Sequence, residues 1–148
     1  MATLDAKTQT TLQLKRTFAA PREKVFRAWT DPEELKKWWG PPGYATPSAE
    51  VDLRAGGKYR LGMRKLPDGP VFYLAGTYRE VRPPARLAYT WRWEAEPEHG
   101  ETLVTVEFHD RGGSTEIVLT HELFPSEKMR SDHERGWSSS FDKLANIL

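Results

Sequence analysis

The chain is expected to form an α+β domain: a curved seven-stranded antiparallel sheet wrapped around a long C-terminal helix, with two short helices between the first and second strands. Three observations carry this expectation. Across residues 44–121 apolar and polar side chains alternate, and turn residues interrupt the alternation at short, regular intervals; this is the pattern of half-buried antiparallel strands. Beyond residue 126 the period becomes helical, with His133, Gly136, Trp137, Ser140, Phe141, Leu144, Ile147 and Leu148 on one face. Upstream, a single alternating run is followed by two short stretches that each carry helix-start chemistry.

Taken in order, residues 10–18 place Leu12, Leu14 and Phe18 opposite Gln13, Lys15 and Thr17, a half-buried strand. Pro21 ends it and opens a short helix whose Val25, Phe26 and Trp29 share a face. Asp31 is placed to cap a second helix, with Pro32 at its first position and Glu33 and Glu34 in its first turn, before Gly40-Pro41-Pro42-Gly43 stops it. Val51 and Leu53 then alternate with Asp52 and Arg54 up to the turn Ala55-Gly56-Gly57. Tyr59, Leu61 and Met63 lead to Pro67-Asp68-Gly69-Pro70, and residues 71–81 turn through Arg82-Pro83-Pro84 into Leu87, Tyr89, Trp91 and Trp93 on one face. Two more strands, 102–109 and 115–121, meet at Asp110-Arg111-Gly112-Gly113. The last helix starts after Pro125 with Ser126 as its cap, or one turn later at Ser131, whose spacing to Glu134 is that of a capping box.

Composition narrows the function. The 148 residues suffice for one domain with its own core, here 1–148. Charge is balanced, 22 basic against 21 acidic residues, and interspersed, so no nucleic-acid-tracking surface is expected. Cysteine is absent, the N-terminal stretch is polar and no segment approaches the roughly 18 apolar residues of a membrane span, so a cytoplasmic location without membrane insertion is expected. Six Trp, six Phe and five Tyr supply much of the apolar content, and a wall of large rings suits a hollow as well as a solid core.

Among candidate reactive groups, His99 falls in a turn and His109 at a strand end, whereas His121 continues the inward face of Thr115, Ile117 and Leu119 and could look into the same space as His133. Two imidazoles in an apolar hollow could bind an anion or relay a proton; each could equally be bonded in the structure. His133-Glu134 starts like the zinc motif HExxH, but Trp137 stands where the second histidine is needed, so no metal site follows. Gly56-Gly57-Lys58 lacks the remaining phosphate-loop residues and reads as a hairpin turn. Gly136 costs roughly 1 kcal/mol of helix propensity relative to alanine and calls for a reason, either close backbone approach or space for something bound. Trp38 and Trp39 beside Gly40-Pro41-Pro42 could gate a cavity mouth or plug it.

Residues 20–32 (Ala20-Pro21-Arg22 to Thr30-Asp31-Pro32), Trp38-Trp39-Gly40-Pro41, Asp52-Leu53-Arg54-Ala55-Gly56-Gly57 and His133 to Trp137 before Leu144 together resemble the SRPBCC superfamily. Within it the chain is similar to the branch named after homologues of the activator of the ninety-kilodalton heat-shock chaperone's ATPase. The resemblance implies the helix-grip, START-like fold, with a hydrophobic cavity between curved sheet and C-terminal helix. The eukaryotic namesake needs a further N-terminal domain for chaperone activation, and only about ten residues precede the first strand here, so the resemblance carries the fold further than that activity. The expected ligand-binding residues are Trp39, Tyr59, Met63, Phe72, Tyr89, Trp91, His121, His133, Trp137 and Phe141, and the expected ligand is a small hydrophobic or amphipathic molecule, with no cofactor. Two other roles stay open: a cyclase, dehydratase or hydrolase using His121 or His133 as acid or base, and a stress-related, co-chaperone-like interaction module. The protein could act as a monomer or a homodimer.

Overall fold

The computed structural model describes residues 10–148. The polar stretch 1–9, on which the absence of a leader was argued, lies outside the described residues. Among these, seven strands, three α-helices and one 3₁₀ turn follow in the order β1 (Leu12–Phe18), α1 (Arg22–Thr30), α2 (Pro32–Trp38), β2 (Tyr44–Val51), β3 (Lys58–Lys65), β4 (Val71–Arg82), β5 (Arg86–Trp93), the 3₁₀ turn (Pro97–His99), β6 (Thr102–Asp110), β7 (Thr115–Glu122) and α3 (Glu127–Ile147).

All neighbouring strands are antiparallel, in the order β1-β7-β6-β5-β4-β3-β2. Strands β2 to β7 form a meander, and β1 adds to its far edge by pairing Leu12 with His121 and Phe18 with Thr115. Since β1 and β2 occupy opposite edges, α1 and α2 must cross the end of the sheet to join them. Alternation orients the strands as expected: Thr102, Val104, Val106 and Phe108 on β6 and Thr115, Ile117, Leu119 and His121 on β7 all point inward and are buried.

Caps set the helix starts. Asp31 accepts a hydrogen bond from the Glu33 amide at 2.8 Å, with Pro32 next. Ser126 accepts from the Met129 amide at 3.2 Å, so α3 starts at the earlier of the two possible positions, and Ser131 lies inside it. Trp137, Ser140, Phe141 and Leu144 form the buried face of α3. Leu53 departs from the expected alternation: β2 ends at Val51 and Leu53 is exposed, because the chain already turns there to bring Gly57 against Asp52. A Cβ on Gly57 would lie 2.1 Å from the Asp52 carbonyl oxygen, so this turn requires glycine.

A ring cluster centred on Trp29 ties the first helix to the last. Trp29 stacks on Trp137 with centroids 6.1 Å apart and meets Phe108 and Phe141 edge-on, while its indole N–H donates to the Tyr89 hydroxyl at 3.1 Å. This packing ties the middle of α3, at Trp137 and Phe141, to the core beneath α1.

Candidate functional site

A cavity of about 200 Å³ opens between α3, strands β3 and β5 and the segment after α2. Its sheet wall is Met63, Trp91 and Trp93; Trp39, Gly40 and Pro41 close one side; Asp132, His133, Gly136, Trp137 and Ser140 present the helix. Gly136 explains much of the space. A Cβ there would meet nothing within 4 Å, so of the two reasons for a mid-helix glycine, open room applies and backbone approach does not.

Adjacent tryptophans diverge at the end of α2. Trp38 is fully buried and donates its indole N–H to the Ala28 carbonyl at 2.8 Å, plugging the core beneath α1. Trp39 turns the other way, toward Trp91 and Trp93 at centroid distances of 6.1 and 6.2 Å, and lines the cavity. Trp38 is the last helical residue and Trp39 already has extended backbone, with φ of −67° and ψ of 136°, so the two side chains serve two layers; Gly40 follows with φ of +102°.

Both inward histidines are committed to bonds. His121 is completely buried; its Nδ1 accepts from the Trp137 indole N–H at 3.1 Å, so the proton sits on Nε2 and is donated to Thr102 Oγ1 at 2.7 Å. Thr102 passes the chain on to the Trp91 carbonyl at 3.2 Å. His133 Nδ1–H donates to the Met129 carbonyl at 2.8 Å, and its Nε2 accepts from the Trp93 indole at 3.2 Å. The two rings lie 5.4 Å apart, centroid to centroid. Burial holds His121 well below its ordinary value of 6.5, with the nearby His133 acting in the same direction, and burial likewise lowers His133. Neither ring has a free lone pair to act as a base or a free N–H to act as an acid.

Of the residues expected to bind a ligand, Trp39, Met63, Trp91, His133 and Trp137 line the cavity. His121 sits one layer deeper, behind Trp91 and Trp137. Tyr59 and Tyr89 form a buried triangle with Tyr78 around a void of only about 20 Å³, and Tyr59 donates to the Thr90 carbonyl. Phe141 packs edge-on against Phe18 and Trp29 in the core. Phe72 corrects the expectation of an interior position. It lies opposite Met63 and on the same strand face as Leu74, but at the start of β4, beside the exposed turn that precedes the strand, and it is 42% exposed. Wall residues outside the expected binding set are Gly40, Pro41, Trp93, Asp132, Gly136 and Ser140; Trp93 shares the face of Trp91, Gly136 and Ser140 lie on the helical stripe, Gly40 and Pro41 belong to the stretch read as gate or plug, and Asp132 had no sign.

His99, in a turn, and His109, near a strand end, are each partly exposed and lie 3.4 Å from Glu96 and 3.3 Å from Glu107 respectively. Glu96, Glu98 and His99 bring ligand-type atoms near one another in this exposed turn, a common arrangement for surface acids. No described helix is long and apolar enough to cross a membrane.

A half-barrel of seven antiparallel strands gripping a C-terminal helix, with two short helices between the first two strands and an apolar hollow under the grip, defines the helix-grip, START-like class. More narrowly, residues 19–148 match the family described as Activator of Hsp90 ATPase homolog 1-like protein, and the chain belongs to that family. The structure is similar to a Chromobacterium violaceum protein of 29% identity, with a TM-score of 0.84 and coverage of 93% of this chain and 96% of the other. An AHSA1 protein from Silicibacter pomeroyi is 30% identical, with a TM-score of 0.82 and coverage of 93% and 96%. In sequence, the mouse Activator of 90 kDa heat shock protein ATPase homolog 1 is 25% identical over 126 residues, 85% of this chain. The chain spans about a third of the length of that relative, 33%.

Proposed function

We propose that this protein binds a small hydrophobic or amphipathic molecule in the hollow between the sheet and α3, acting in the cytoplasm as a carrier or sensor of that molecule. The observation that carries this reading is Gly136. A helix interior gives up about 1 kcal/mol by holding glycine, and here no backbone or side chain fills the place that a larger residue would take. Four indoles and a thioether around that space offer apolar contact at about 25 cal/mol per Å² of surface removed from water, from Trp39, Trp91, Trp93, Trp137 and Met63.

An acid–base enzyme working through His121 or His133 is less well supported, because both imidazoles already use both nitrogens. A co-chaperone-like role has one specific support, the similarity to the mammalian ATPase activators.

Native mass spectrometry of freshly purified protein tests the binding reading. The parent chain is expected to carry a small molecule that is lost on denaturation, and Gly136→Leu is expected to fold without it. Equal loading of the two would remove the hollow under α3 as the binding place.

A further inference from the structure

The polar groups around the cavity are unevenly spent, and the difference runs along the helix. At the His133 end Asp132 is neutralised by Lys128, at 2.9 Å, and by Arg135. At the other end, just outside the lining itself, Lys143 is half-buried and makes no ion pair among the described residues; it touches the wall through its Nζ, which donates to the carbonyl of Gly40, a cavity-wall residue, at 2.9 Å. An ammonium has three donors and no acceptor, so this single bond leaves two unused. Burial lowers Lys143 from its ordinary value of 10.5.

Ser140, one turn earlier on the same helix face, lines the cavity and is only 5% exposed, and its hydroxyl makes no hydrogen bond among the described residues. A mid-helix serine commonly bonds back to the carbonyl four residues before it; this one leaves its hydroxyl open. Beside an apolar wall, an unspent hydroxyl and an uncompensated ammonium are together the complement of one anionic group. Resting on the binding reading above, we propose that the Gly40 end of the cavity is a carboxylate subsite formed by Ser140 Oγ and Lys143 Nζ, and that the ligand is a small apolar carboxylic acid whose hydrocarbon body lies among Trp39, Trp91, Trp137 and Met63. The carboxylate accepts from both donors, and the Lys143 bond to Gly40 keeps the ammonium at the mouth until it does.

Calorimetric titration with 2-naphthoate and its neutral near-isostere 2-naphthamide tests this. The parent is expected to prefer naphthoate by about tenfold, the effect of hydrogen bonds to a charged group, and the preference shrinks as salt is raised. Ser140→Ala and Lys143→Met each reduce naphthoate affinity more than naphthamide affinity and so narrow the preference, whereas Lys143→Arg keeps it. Because Lys143→Met also releases Gly40, the Ser140→Ala variant gives an independent reading that leaves that tether intact. Equal affinities in the parent, or a preference untouched by either substitution, would overturn the carboxylate subsite while leaving a binding cavity. Failure of the parent to bind either compound would overturn both.

Discussion

Trp137 donates its indole N–H to Nδ1 of His121 at 3.1 Å, and this one bond assigns the tautomer of a histidine sealed between α3 and β7. A charged His121 would carry a proton on that nitrogen, turn an acceptor into a donor facing a donor, and place an imidazolium next to His133. The neutral ring is therefore part of the packing.

Stability should fall on mild acidification for this reason. Both His121 and His133 have folded values below the ordinary 6.5, so below that pH the unfolded chain binds protons that the folded one refuses. Their contribution is complete above about pH 6.5 and declines as pH falls toward the folded values, with a slope of up to about 1.4 kcal/mol per pH unit for each histidine. Urea unfolding at a series of pH values checks this. His121→Leu, which strands the Trp137 indole, is expected to cost about 1–3 kcal/mol at pH 7 and to flatten the slope between pH 5 and 6.5. An unchanged slope would mean that His121 titrates normally.

Glycines at two positions should respond in opposite directions. Gly136 has helical backbone and open space at its Cβ, so Gly136→Ala is expected to stabilise by about 1 kcal/mol. At Gly76 a Cβ would lie 2.0 Å from the Thr90 carbonyl oxygen and 2.7 Å from the Tyr59 hydroxyl, so Gly76→Ala is expected to destabilise by about 3 kcal/mol. Thermal or chemical denaturation of the pair reads both signs.

Phenylalanines expected to be equivalent should prove very different. Phe141 is 2% exposed and holds Phe18, Trp29 and Trp137, and its truncation to alanine should cost about 3–5 kcal/mol. Phe72→Ala, at the open end of β4, should change stability by less than about 0.5 kcal/mol. A large loss at Phe72 would show that it packs more tightly than its exposure indicates.

Much of this architecture was legible because it is periodic. Alternation assigned His121 to the inner face beside Ile117 and Leu119, and the residues Ser126, Asp31 and Pro32 announced the helix starts that the caps realise. The site was less legible, since a two-residue period tells which face a side chain occupies but not how deep the partner layer reaches. Tyr59, Tyr89 and Trp91 all face inward, yet the two tyrosines meet Tyr78 in a filled region while Trp91 meets the hollow. Phe72 shares the face of Leu74 but lies at the start of β4, beside an exposed turn. Neighbouring Trp38 and Trp39 separate because the helix ends between them and Trp39 is extended, a local event with no periodic trace. Lys143 gave no signal at all: its importance comes from the carbonyl of Gly40, 103 residues away in sequence.

The central claim is that the space under α3 receives a ligand, and the tryptophans can report on it directly. Trp39, Trp91, Trp93 and Trp137 line the cavity, whereas Trp29 and Trp38 belong to the packed core beside it. In proton–nitrogen correlation spectra recorded during titration with 2-naphthamide, the indole signals of the first four are expected to shift together and saturably, with much smaller changes at Trp29 and Trp38. Shifts that are absent, or spread evenly over all six indoles, would contradict a ligand seated between the sheet and its terminal helix.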